Sequence, residues 1–119
     1  MKLNSIYVSA KNFERAKKWY REILVKRAPD NETDRFVFWT LGDVHFGVFN
    51  PDVTEEEIRF GNNCVPNIEV EDVDELFDEL KSRNVEIVMQ PNDVNGTRIF
   101  QCYDSEDNIL EFYHWIEKK

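Results

Sequence analysis

The sequence predicts an α+β fold made of two consecutive βαβββ modules, and three observations carry that prediction. Short runs of alternating apolar and polar residues mark half-buried strands. Two amphipathic helical stretches each start at a capping residue, Asn12 and Asp72. The order of segments around Asn12 then recurs around Asp72, an offset of 60 positions that also sets Ser5 on Val65. Identity between the halves is slight, so the repeat is one of pattern.

Taken in order, "SIYVSA" alternates as a strand, and the Asn12 side chain is suited to accept a bond from an unpaired first-turn amide. Phe13, Ala16, Tyr20, Ile23 and Leu24 follow at helical spacing, with Trp19 widening the stripe. "RAPDNETD" is polar, contains Pro29 and reads as a loop. "RFVFWTLGDVHFGVFN" reads as two strands joined at Gly42-Asp43, which leaves one strand of this half without a clear place. This first module spans about residues 1–50, and the acidic "PDVTEEEIRFGNN" makes residues 51–62 a linker. In the second module, residues 63–115, "VPNIEV" is a strand and Asp72 caps a helix with Val73, Leu76, Phe77 and Leu80 on one face. Asn84 suits a left-handed C-cap. "VEIVM" is a strand, "QPNDVNG" a loop, "TRIFQCY" a strand, "DSEDN" a turn and "ILEFYHW" the last strand. With a helix over one face of each half, two halves joined edge to edge give a curved mixed sheet. Its concave side forms a ligand cup, and the helices lie on the outer face.

At 119 residues and 41% hydrophobic content the chain is long enough for one globular domain with a real core. No apolar run approaches the roughly 18–20 residues of a membrane span. The amino terminus lacks the continuous apolar segment of a signal peptide. Cys64 and Cys102 lie far apart without zinc spacing, which suits reduced thiols in the cytoplasm. A formal charge of −9 disfavours nucleic acid as a partner and favours cationic small molecules.

Strand parity nominates the cup residues. Tyr7, Phe38, Phe49, Tyr103 and Tyr113 fall on the cup-facing side, with Ser5, Asn67, Glu69 and Glu111 as its polar groups. His45 shares that face two residues before Gly47, whereas His114 falls on the face opposite Glu111. Glu111 has three readings: a carboxylate hydrogen-bonded inside the cup, a counter-charge for a cation, or a general base. The last ranks lowest because no second catalytic group emerges, so Glu111 is only a weak catalytic candidate. Cys102 reads as a small buried hydrophobe.

The segment "YVSAKNFERAKKWYREIL" resembles the opening of the vicinal oxygen chelate superfamily, which includes glyoxalase I, extradiol dioxygenases and bleomycin-resistance proteins. "NIEVEDVDELFDELKSRNVEIVMQP" resembles the opening of a second module of that kind. "GTRIFQCYDSEDNILEF" resembles its close, Gly-x-Arg-x-Phe-x-x-x-Asp-Pro-Asp-Gly-Asn-x-x-Glu, with Asp104, Asn108 and Glu111 matching. Ser105, Glu106 and Asp107 stand where Pro, Asp and Gly are usual.

The resemblance implies paired modules around a cup, often completed in a homodimer, that holds a divalent metal ion in the metalloenzymes. The metal-ligand positions it implies fall on Ser5, Gly47, Val65 and Glu111. Of these only Glu111 is a competent ligand, since Val has no donor atom and a Ser hydroxyl is poor beside imidazole or carboxylate. The expected cofactor is therefore none. The expected function is sequestration of an aromatic or cationic compound, the mode of antibiotic resistance in bleomycin-resistance proteins. The contacts would come from Tyr7, Phe38, His45, Asn67, Glu69, Tyr103, Glu111 and Tyr113. The alternative is a lyase, isomerase or dioxygenase with one divalent metal held by His45, Glu111 and an unorthodox third ligand. A third possibility is a domain that acts through oligomerisation, with its cup filled by its own side chains.

Overall fold

A computed structural model describes residues 4–53, 60 and 64–116. Most of the expected linker, residues 54–59, 61 and 62, lies outside the described residues. The chain divides into two compact units, Met1–Gly61 and Asn62–Lys119.

The first unit contains β1 (Ser5–Ser9), α1 (Phe13–Trp19), β2 (Asn31–Glu32), β3 (Phe36–Leu41) and β4 (Val44–Phe49). Its sheet has the order β1-β4-β3-β2, with β1 parallel to β4 and the other neighbours antiparallel. Helix α1 starts where expected because Asn12 Oδ1 accepts the Arg15 amide at 3.0 Å. Its apolar stripe then packs on the sheet: Phe13, Ala16 and Tyr20 are buried, and the Tyr20 ring lies 5.3 Å from Phe46 and 6.1 Å from Trp39. Burying each such large side chain contributes about 1.5–3 kcal/mol. The Trp39 indole gives up no hydrogen bond on burial, since Nε1 donates to Arg27 O at 3.0 Å.

Two features of this unit differ from expectation. The helix does not run regularly to Leu24 but widens into a π turn over Tyr20–Leu24, closed by the Val25 amide on Tyr20 O at 2.8 Å. The strand that had no clear place is β2, which lies inside the expected loop. It is short, and it holds because the neighbouring Asp30 carboxylate ties it to β3 through the Thr40 amide at 2.6 Å.

The second unit contains β5 (Asn67–Glu69), α2 (Val73–Ser82), β6 (Ile87–Val94), β7 (Thr97–Tyr103) and β8 (Ile109–Trp115). Its sheet order, β5-β8-β7-β6 with β5 parallel to β8, repeats that of the first unit. Asp72 caps α2 by accepting the Glu75 amide at 3.1 Å, and Asn84 follows the helix at φ 63° as its left-handed cap. His114 braces the same helix from β8, its Nδ1 accepting the Val73 amide at 2.8 Å. That is the sheet face opposite Glu111.

One assignment in this unit needs correction. "QPNDVNG" is not a loop, because β6 continues to Val94 and turns only at Asn95-Gly96. Both turn residues have positive φ (50° and 80°), as a tight two-residue hairpin requires. Pro91 had suggested a break, but it falls within the pairing irregularity between Met89 and Asn92, where its missing amide costs no ladder bond.

The closing turn is organised by the nearly buried Asp104. Its carboxylate accepts the Glu106 amide (2.7 Å), the Asn108 amide (2.9 Å) and Asn108 Nδ2 (2.9 Å). Asp107 can stand where glycine is usual because it adopts φ 65°, a conformation Asp tolerates better than most residues. Phe100, Cys102, Leu110 and Phe112 form the buried face of this sheet against Val73 and Leu80 of α2. Among the described residues no helix is long and apolar enough to cross a membrane.

Candidate ligand-binding site

In the first unit, residues alternating with the core on β1, β3 and β4 line a cavity of about 400 Å3. Its walls carry Ser5, Tyr7, Phe36, Phe38, His45 and Phe49, with Arg35 just before β3. The rings are paired: Phe36 stacks on Phe38 (5.4 Å, 15°), Tyr7 lies 5.9 Å from Phe49, and His45 lies 5.0 Å from Phe38. Gly47 also lines the cavity and contributes no side chain. A Cβ there would stand 2.7 Å from Val37 O and 3.0 Å from Phe38 Cβ. Close approach of β3 to β4 thus requires glycine at this position.

His45 is oriented from behind. Its Nδ1 lies 3.1 Å from Thr40 Oγ1, and Thr40 is held in turn through its amide by Asp30 and through its carbonyl by Arg27 at 2.9 Å. Arg27 also pairs with Asp30 at 2.8 Å, which holds that carboxyl below the usual carboxylate range.

The corresponding face of the second unit is different in character. Asn67, Ile99, Glu111, Tyr113 and Trp115 line a more open hollow of about 460 Å3. Glu111 is occupied by neutral donors, Asn67 Nδ2 at 2.6 Å on one oxygen and Gln101 Nε2 at 3.0 Å on the other. The Tyr113 hydroxyl donates to Glu69 Oε1 at 3.2 Å, and its pKa is raised by desolvation and by that acceptor.

Of the residues singled out from sequence, Ser5, Tyr7, Phe38, His45 and Gly47 therefore meet in the first unit. Asn67, Glu111 and Tyr113 meet in the second, with Glu69 bonded to Tyr113. Tyr103 ends β7 half-buried and lines neither hollow, and Val65 lies exposed before β5. Sequence reasoning missed Arg35, Phe36, Thr40 and Gln101. Phe36 and Thr40 share the parity of Phe38, and Gln101 shares that of Tyr103, so the alternation rule applied without exception would have found these three. Arg35 precedes the strand, where parity gives no signal.

The expected metal positions can be tested against this geometry. The 60-residue offset takes Tyr7 to Asn67, and their partners on the neighbouring strands are Gly47 and Glu111, so these two closing positions are equivalent. At Gly47 there is no room for a ligand side chain, and at Glu111 both oxygens are engaged by amides. Among the described residues no group of three or more His, Cys, Asp or Glu is arranged to hold an ion. The donor set does not fit a divalent metal.

Paired βαβββ units of this order define the vicinal oxygen chelate class of fold. Residues 2–112 match the Glyoxalase/Bleomycin resistance protein/Dioxygenase superfamily, and the chain belongs to that family. Solved structures agree in fold. One, described as a conserved domain protein, superposes with a TM-score of 0.80 at 20% identity, covering 97% of this chain and 99% of that one. A glyoxalase/bleomycin resistance protein/dioxygenase from Nocardioides gives 0.78 at 14% identity, covering 100% and 86%. Lactoylglutathione lyase from Agrobacterium tumefaciens gives 0.76 at 14% identity, covering 95% and 92%. No curated protein matches the sequence.

Proposed function

We propose that the chain binds a planar aromatic small molecule in the first unit's pocket and sequesters it without a metal and without chemistry. The observation that carries this reading is the pocket itself, a cavity of about 400 Å3 walled by Tyr7, Phe36, Phe38 and Phe49, with Gly47 among its lining residues. Such a volume, mostly apolar with few polar groups, suits a ligand of two or three fused rings. The expectation of a cationic ligand rested on the formal charge of −9 and on Glu69 and Glu111, and neither of these two carboxylates lines this pocket. Aromatic character rather than positive charge therefore carries the proposal. A metal-dependent lyase, isomerase or dioxygenase would need ligands at positions where Gly47 and the amide-bound Glu111 stand. The test is titration calorimetry with 2-naphthamide in EDTA. Saturable binding that weakens in Tyr7→Ala and Phe38→Ala by about 0.5–1.5 kcal/mol each, the scale of one aromatic contact, supports the reading. Binding indifferent to both substitutions refutes it.

A further inference from the structure

We propose that this pocket selects aromatic ligands that carry a carboxylate or similar anionic oxygen group, with Arg35 as the charge partner. The proposal rests on the aromatic reading above and adds to it the sign of the ligand's charge, which is opposite to that of the chain as a whole's preference. The chain has 24 acidic and 15 basic residues, so its cations have acids to spare, and those near its sheets use them. Lys17 pairs with Glu14 and Glu32, Arg27 with Asp30, and Arg98 with Asp74 and Asp93. Arg35 has no ion pair or side-chain hydrogen bond among the described residues, yet it lines the pocket. Among the described residues that line the pocket there is no Asp or Glu, and Arg35 is the one Lys or Arg among them.

A guanidinium presents a planar fork of N–H donors that matches a carboxylate with two parallel hydrogen bonds. The Phe36 and Phe38 rings line the same pocket as Arg35, so a ligand whose ring system lies on them could present a ring substituent to it. His45 serves the other end. Its cross-strand partner is Thr40, near the far end of β3 and five residues after Arg35, a backbone span of roughly 16 Å at strand rise. One small group does not reach both, which assigns the anionic group to the Arg35 end. The ring nitrogen of His45 not taken by Thr40 has no partner among the described residues and offers a separate polar contact.

The experiment uses three probes of nearly one shape, 2-naphthoate, 2-naphthamide and 2-naphthamidine, titrated calorimetrically into the EDTA-treated full chain at low ionic strength. Naphthoate is expected to bind about tenfold more tightly than the amide, the yield of one charge-assisted contact discounted for the exposure of Arg35. The amidine is expected to bind most weakly. Arg35→Met should bring the naphthoate-to-amide ratio close to one, and Arg35→Lys should keep part of it, with denaturation midpoints confirming that both variants fold. Equal binding of amide and naphthoate, preference for the amidine, or a ratio that survives Arg35→Met overturns the charge assignment while leaving an aromatic site. Failure of all three probes to bind overturns the aromatic reading and this inference with it.

Discussion

Gly47→Ala tests whether the pocket and the missing metal position have one structural cause. The new Cβ would stand 2.7 Å from the Val37 carbonyl oxygen and 3.0 Å from Phe38 Cβ, so backbone of β3 has to move away from β4. Overpacking of this kind costs about 1–3 kcal/mol. Replacing glycine also narrows the unfolded ensemble, which returns about 0.4–1 kcal/mol. Taking the middle of each range, the net expectation is a loss of about 1.3 kcal/mol, read as a lower urea midpoint at unchanged slope. Gly47→Glu places a carboxylate where the resemblance to the superfamily's metalloenzymes implied a closing ligand, and it should be at least as destabilised, with no recovery on adding Zn2+ or Mn2+. A true site would instead stabilise by about 2.7 kcal/mol at a hundredfold excess over its dissociation constant. If Gly47→Ala matches the parent midpoint, or Gly47→Glu gains metal-dependent stability, the close approach of β3 and β4 is not what excludes a ligand here.

Further outcomes follow from other contacts. His114→Ala orphans the Val73 amide at the start of α2 and should cost about 1 kcal/mol in a urea titration, whereas loss of a metal ligand would leave apo stability nearly unchanged. Burial pushes the Cys102 thiol up to about 12 while Cys64 is exposed, so a thiol reagent at pH 8 should titrate one cysteine in the native chain and two in denaturant. The hydrogen bond from Arg98 holds the Asp74 carboxyl below its ordinary value. A depressed folded pKa stabilises above the unfolded pKa and ceases to do so as pH falls through the folded one. The stability difference between the parent and Arg98→Met should therefore be present at pH 6 and shrink below about pH 4.

Much of the fold was legible because its signals are local. Asn12 and Asp72 each need only their own first turn to act as caps, and the alternation in β3 and β8 needs only one buried face. What was not legible depends on pairing. The two-residue β2 has no periodicity of its own and exists through Asp30 and its bond to Thr40. Strand β6 hides behind Pro91, whose place in a bulge is fixed by β7 rather than by neighbours in sequence. The site divides along the same line. Parity placed Tyr7, Phe38, Phe49 and His45 on one face, which is where they line the pocket. It gave no means of knowing that Glu111 is held by Asn67 and Gln101, or that Arg35 lines the same pocket as the rings.

Backbone chemical-shift mapping of the EDTA-treated protein with the neutral probe 2-naphthamide tests the aromatic, metal-free pocket most directly, because it reports location independently of affinity and charge. The account predicts saturable shifts gathered on β1, β3 and β4 around Tyr7, Phe38, His45 and Gly47, unchanged when Zn2+ or Mg2+ replaces EDTA. Shifts centred on Glu111 and Tyr113 of the second unit, or shifts that arise only after a metal is added, would contradict it.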